Sequence, residues 1–170
     1  MKKFNLLLIA FLVTFSLPIF ANTNTLIEAL SVSNQIMLFA AFAVIGVGIL
    51  SSGYALSISL SAYAACDKDN RGTAFIPAVM PGSQGLYSFA ISFLMIQNLI
   101  DKPLQVSFAG LICGLPCLFS AIGQAKTAAA CIKSINNGQM DQGQALLATG
   151  VPELYALTGL AGAFLVMFMI

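Results

Sequence analysis

QGQALLATGVPELYALTGLAGAFLVMFMI, residues Gln142 to Ile170, is the stretch that decides the fold. Its only charge is Glu153, in a run longer than the about 20 apolar residues that cross a bilayer as a helix. Glu153 follows Asp141 by twelve residues and precedes Ile170 by seventeen. At a rise of about 1.5 Å per residue, those separations are about 18 Å and about 25 Å. The carboxylate therefore falls near the middle of a hydrocarbon core about 30 Å thick. Holding it there costs about 2.5–3.5 kcal/mol on insertion scales, and acids kept at that depth mark ion or proton pathways. A helix–helix hydrogen-bond anchor is the alternative, but Ser, Thr or Asn makes that bond with less penalty.

The rest of the 170-residue chain has the same character. It is 59% hydrophobic and 8% charged, with a mean hydropathy of +0.93, whereas soluble domains carry about 25% charged residues. An all-α integral membrane protein is expected. The net charge of +1, with no basic cluster, offers nothing to nucleic acid. With no His in the chain, a zinc site would need Cys66, Cys113, Cys117 and Cys131. Cys113 and Cys117 are four apart, stacked on one helix face rather than spaced as a metal knuckle. All four lie in apolar segments and read as small packing residues. No Ser/His/Asp or Cys/His set and no phosphate-binding Gly loop is present. The pattern favours ion movement over covalent chemistry, in a chain with no catalytic site of its own.

Residues 1–21 read as a secretory signal: Lys2 and Lys3 start it, Leu6 to Phe15 form its apolar centre, and Leu17 to Ala21 its cleavage region. An uncleaved fifth helix is the alternative. Four spans follow, Ala29 to Cys66, Gly72 to Ile100, Pro103 to about Ser134, and about Gln142 to Ile170. They pair into a first helical hairpin, 22–100, and a second, 101–170, which carries Glu153. Lys68 and Arg71 lie between spans one and two, and Lys133, with Lys126 nearby, between three and four; the opposite side offers Lys102 beside Asp101. The positive-inside rule then places loops 67–72 and 133–141 in the cytoplasm and both mature termini outside. A cleaved signal delivers the same orientation, in a multi-pass protein of the cell's inner (plasma) membrane.

The hairpins look like diverged copies. Gln84 lies thirteen residues after Arg71 and seventeen before Asp101, much as Glu153 lies between Asp141 and Ile170. The offset of 69 between Gln84 and Glu153 also relates Leu50-Ser51 to Phe119-Ser120. Spans one and three are rich in Gly, Ala and Ser, which let helix backbones approach closely in lipid. Spans two and four carry Phe89, Phe93, Phe164 and Phe168. A tight inner layer and a looser outer layer would suit that division.

Polar residues gather at the depth of Glu153. Met80, Ser83, Gln84 and Tyr87 follow i, i+3, i+4, i+7 and share one helix face. Pro81 lacks an N–H and disturbs the local hydrogen-bond ladder, and Pro152 should likewise free the carbonyl of Ala148. Broken helices near the midplane expose oxygen ligands for cations. Gln124, nine residues before Lys133, sits about 13.5 Å from that end, close to the depth of Glu153. Glu153, Gln84, Gln124, Ser83 and a backbone carbonyl together would form an all-oxygen cage suited to a hard cation. Its single negative charge matches a monovalent ion. Polar glue between helices is the other reading of the two glutamines.

PGSQGLYSF (Pro81 to Phe89), PELYALTG (Pro152 to Gly159) and FSAIGQAKTAAA (Phe119 to Ala130) resemble the membrane-rotor proteolipid, the K or c component, of bacterial V-type (V/A-type) rotary ATPases. The resemblance covers roughly residues 35–170. It implies two fused hairpins assembling into a ring of identical subunits, with a stator subunit bearing an Arg, a central-stalk subunit on the cytoplasmic side, and surrounding lipid. It implies Glu153 as the ion-carrying carboxylate and Gln84 as its counterpart in the first hairpin. In sodium-carrying members the ion ligands correspond to Glu153, Gln84, Gln124, Ser83 and the carbonyl of Met80, with Tyr87 closing the site on the glutamate. Ser83 stands where Thr is usual and keeps the hydroxyl; Pro152 stands where an apolar non-proline residue is usual. The full ligand set favours Na+ over H+ as the transported ion, and no other cofactor is implied. The rival reading is a small four-helix cation-coupled exporter, which would need a substrate cavity with aromatic walls.

Overall fold

The computed structural model describes residues 32–169, with side chains from Gln35 onward; the expected signal at 1–21 lies outside the described residues. Five α-helices run in order through them: α1 (Val32–Ala64), α2 (Arg71–Val79), α3 (Ser83–Gln97), α4 (Pro103–Asn136) and α5 (Gln142–Met169). Short 3-10 turns at Lys68–Asn70 and Met80–Gly82 precede α2 and join it to α3. Among the described residues there is no strand. Among the described residues four helical stretches are long and apolar enough to cross a membrane: Gln35–Ala64, Lys68–Gln97, Pro103–Asn136 and Gln142–Met169. The chain is therefore an all-α, multi-pass membrane protein, as its composition requires. From residue 37 onward the described chain forms one compact unit; of the residues before it, only 32–36 in the first turn of α1 are described.

Hydrocarbon offers the backbone no partners, so every polar group must be satisfied within the protein. The many hydroxyls obey the same constraint by bonding back to their own helix. Ser51 donates to the carbonyl of Gly48, Ser61 to Ser57, Ser92 to Phe89, Ser107 to Pro103 and Thr158 to Tyr155. Helices otherwise built from apolar residues can thus carry serine at lipid depth.

The helix ends follow local chemistry. At the end of α4, Gly138 adopts φ 69°, a left-handed conformation that glycine enters without a Cβ penalty. The Asn137, Gly138 and Gln139 N–H groups then bond the last carbonyls of the helix. Ahead of α5, the Gln144 N–H donates to Asp141 Oδ1 at 2.9 Å, and the Asp141 N–H donates to Gln144 Oε1 at 3.3 Å. That reciprocal pair is a capping box. At the same end of the molecule, Asn136 Oδ1 accepts the Asp67 N–H at 2.8 Å and the Cys66 thiol at 3.3 Å, tying the two loops together. At the other end, Lys102 Nζ donates to the carbonyl of Met167 at 3.1 Å, a cation placed at a helix C-terminus.

Helix α4 is the central element. A Cβ on Gly114 would meet the Val44 backbone carbonyl at 2.9 Å, and one on Gly159 would meet the Ile112 carbonyl at 2.8 Å and Pro116 Cγ at 2.9 Å. Glycine lets α1 and α5 press their backbones against α4. Cys113 and Cys117 are buried on α4 as free thiols with sulfurs 3.8 Å apart, the packing role their setting suggested.

The second span differs from a single helix, because it breaks at Met80–Gly82. Pro77 and Pro81 both lack the N–H that a continuous α-helix needs. Hydroxyls from α1 cover the carbonyls at this break: Ser59 donates to Ala78 at 2.6 Å and Ser52 to Pro81 at 2.8 Å. The fourth span behaves otherwise. The sequence predicts the same disturbance at Pro152, but α5 runs through that residue unbroken. Side chains of α4 bond the carbonyls next to that proline, Gln124 to Thr149 at 2.7 Å and Ser120 to Pro152 at 2.6 Å, and so hold α5 at this point.

Candidate functional site

The polar residues of three helices meet in one hydrogen-bonded chain. From α3, the Tyr87 hydroxyl donates to Glu153 Oε1 at 2.5 Å. From α4, Gln124 Nε2 donates to Glu153 Oε2 at 3.3 Å and to the Thr149 carbonyl at 2.7 Å. Gln84 Nε2, also from α3, donates to Gln124 Oε1 at 2.6 Å and to Ser120 Oγ at 3.3 Å. Ser120 in turn donates to the Pro152 carbonyl at 2.6 Å. Gln84, Gln124 and Thr149 are fully buried.

Glu153 itself is half-buried and opens toward the surface of the molecule, among the exposed side chains of Val151, Leu154 and Tyr155. Both its oxygens are held by neutral donors, so its charge is stabilised by dipoles but not cancelled. A buried or lipid-facing anion in that state calls for a proton or a small cation.

Gln84 Oε1 is buried with no hydrogen-bond partner. Both protons on its amide nitrogen are committed, so the group presents an oxygen with free lone pairs inside the network. Among the described residues no group of three or more His, Cys, Asp or Glu could hold a metal. What the network offers instead is one carboxylate held by two neutral donors, with the unpartnered oxygen of Gln84 one amide away from it.

Helix geometry brings Glu153, Gln84, Gln124 and Tyr87 together. Ser83 and Met80 adjoin them. Ser83 Oγ donates to the Met80 carbonyl at 3.0 Å, the Ser83 N–H closes on that same carbonyl, and the Ser83 hydroxyl also lies beside the Tyr87 phenol. The Met80 carbonyl is thus partnered by Ser83. The Met80 sulfur meets the Thr149 hydroxyl at 3.1 Å, joining the 3-10 break to α5.

The family model for the C subunit of ATP synthase matches the chain twice, over residues 36–95 and 108–166, once in each hairpin. The chain belongs to the ATP synthase C-subunit family. It is 30% identical over 151 residues to the V-type sodium ATPase subunit K of Enterococcus hirae, covering 82% of this chain and 97% of that protein. It is 34% identical over 127 residues to the A-type ATP synthase subunit K of Methanocaldococcus jannaschii, covering 72% of this chain and 57% of that protein.

Two members of the network escape a reading of the sequence. Ser120 and Thr149 look like ordinary small residues of membrane helices, and only the packing of α4 against α3 and α5 gives them cross-helix partners. The one signal for Ser120 is its spacing: with Gln124 it forms an i, i+4 polar pair on α4. A cavity of about 250 Å³ lies elsewhere, between the loop ends of α1 and α4, lined by Ala62, Cys66, Ile132, Lys133 and Asn136 among others. It has no aromatic wall and no contact with Glu153, unlike the substrate chamber an exporter would need.

Proposed function

We propose that this C-subunit family member is a rotor-ring proteolipid of a V/A-type rotary ATPase and that Glu153 carries one Na+ per copy across the membrane. The observation that carries the choice of ion is Gln84 Oε1, a buried oxygen with free lone pairs one amide away from the carboxylate. A proton needs only the carboxylate, whereas a bare cation needs several oxygens to replace its water. Glu153, Gln84, Gln124, Ser83 and the Met80 carbonyl supply them in this reading. The Enterococcus hirae relative, named a sodium ATPase subunit, supports it.

Identical copies form a ring, and each Glu153 takes its ion from one half-channel of a stator subunit. With the ion bound, site and cargo are together neutral, so the rotor can turn into lipid without exposing a charge to it. After rotation, a stator Arg displaces the ion toward the other side. Each monovalent ion crossing 100 mV is worth about 2.3 kcal/mol, so a ring must sum several per ATP. The loops at 67–72 and 133–141, with Lys68, Arg71 and Lys133, face the cytoplasm and the central stalk. The protein sits in the cell's inner membrane with its mature termini outside.

The deciding experiment is carbodiimide modification of Glu153 in membranes carrying the assembled complex, with and without Na+ at fixed pH. Protection by Na+ is expected. Protection by raised pH alone would identify a proton carrier instead. Glu153→Gln is expected to abolish ATP-driven ²²Na+ uptake, and retained uptake would exclude Glu153 as the carrier.

A further inference from the structure

We propose that Ser120 is a positioning residue that fixes the polarity of the Gln84 amide, and through it the preference of the site for a cation over a proton, a role that rests on the cation reading above. Hydrogen-bond direction supplies the reason. The single proton of Ser120 goes to the Pro152 carbonyl at 2.6 Å, so its oxygen can only accept within this network. Gln124 spends both amide protons on the Thr149 carbonyl and Glu153 Oε2, so its oxygen also can only accept. Gln84 therefore faces two acceptors, Gln124 Oε1 and Ser120 Oγ, and turns its NH2 toward them. Its own oxygen is left buried and unpartnered.

An inverted amide would set Gln84 Oε1 against two oxygens with no proton to offer, in a fully buried site. Such a mismatch in low dielectric is strongly disfavoured. The Ser120 hydroxyl provides one of those two constraints. It also ties the carbonyl immediately before Glu153 to an amide of the first hairpin, so the oxygen of Gln84 and the carboxylate share a frame. Removing the hydroxyl leaves one Gln84 proton without an acceptor and relaxes the penalty on the inverted amide. The oxygen cage then loses a ligand for part of the time, while protonation of the carboxylate is untouched.

The test measures carbodiimide modification of Glu153 against Na+ concentration and against pH, in membranes containing the complete complex with native, Ser120→Ala or Ser120→Thr rotor. For Ser120→Ala, the Na+ concentration giving half-protection is expected to rise about tenfold or more, the scale of one lost hydrogen bond to a binding group. The pH profile without Na+ is expected to stay in place, and Ser120→Thr, which keeps the hydroxyl, is expected to restore the native Na+ midpoint. A native midpoint in Ser120→Ala overturns the proposal, as does a pH profile that moves together with the Na+ midpoint. Should Ser120→Ala fail to assemble, Ser120→Cys keeps the shape with a weak donor and acceptor. It is expected to show the same Na+ shift, and a native midpoint there is equally fatal. A native protein without any Na+ protection removes the cation reading first, and this role with it, before any substitution is compared.

Discussion

Replacing Gln124 by Leu tests the oxygen cage at its most connected point. The side chain is fully buried. It accepts from Gln84 at 2.6 Å and donates to the Thr149 carbonyl at 2.7 Å and to Glu153 at 3.3 Å, with Ser120 one turn away on the same face. Leu has a similar volume and leaves no large cavity, so the effect is mainly polar. In the empty site, Gln84 Nε2 loses its best acceptor, an unsatisfied buried donor worth about 1–3 kcal/mol. In the loaded site, an oxygen on the cation is lost as well, and contacts of this charged kind are worth about 1.5–3 kcal/mol. That difference corresponds to about 10- to 150-fold weaker Na+ binding. Equilibrium binding of ²²Na+ to solubilised rings, with ring integrity followed by native electrophoresis, reads it directly. Native affinity in an intact Gln124→Leu ring would refute a cage that includes Gln124.

Other perturbations probe different parts of the molecule. Tyr87→Phe removes the 2.5 Å donor on Glu153 Oε1, and bound ²²Na+ is expected to leave the ring about tenfold faster or more, given the strength of a hydrogen bond to a charged group; an unchanged release rate would remove Tyr87 from the site's closure. Gly159→Val drives carbon into the Ile112 carbonyl and Pro116 and is expected to destabilise the protein by about 1–3 kcal/mol, seen as a lower unfolding temperature of the solubilised ring. Gly72→Ala, where a Cβ meets nothing within 4 Å, is the control and is expected to be neutral or stabilising by up to about 1 kcal/mol. Asn136→Ala unties the Asp67 N–H from its 2.8 Å acceptor, and hydrogen exchange at that amide is expected to speed about tenfold, the scale of one net hydrogen bond.

Much of this was legible in the sequence because a bilayer restricts the options. Apolar runs long enough to span, and short charged loops between them, left four spans as the solution, and those spans are present. Glu153, Gln84 and Gln124 stood out because each is expensive at its depth, and Tyr87 because it follows Gln84 by three residues on the same face. What stayed hidden depends on how the helices are rotated and shifted against one another. Ser120 and Thr149 cost little in lipid when they bond back to their own helix, so, the spacing of Ser120 from Gln124 aside, the sequence does not separate them from Ser107 or Thr158, which bond back in that way. The two prolines also looked alike. One span breaks at Pro81, where Pro77 has already removed another N–H four residues earlier, and the other runs straight through Pro152, which stands alone in its helix.

The glycine contacts that seat α1 and α5 on α4 set the mechanical character of the protein. Where backbones touch without intervening side chains, there is little soft material to deform, and interiors packed to this density have low compressibility. Torque applied at Glu153 would then pass to the loop end of the molecule with little twist lost on the way. If the loops couple to a stalk as proposed, elastic give would belong to that stalk, and the carboxylate would keep a nearly fixed distance from the helix axis of α4.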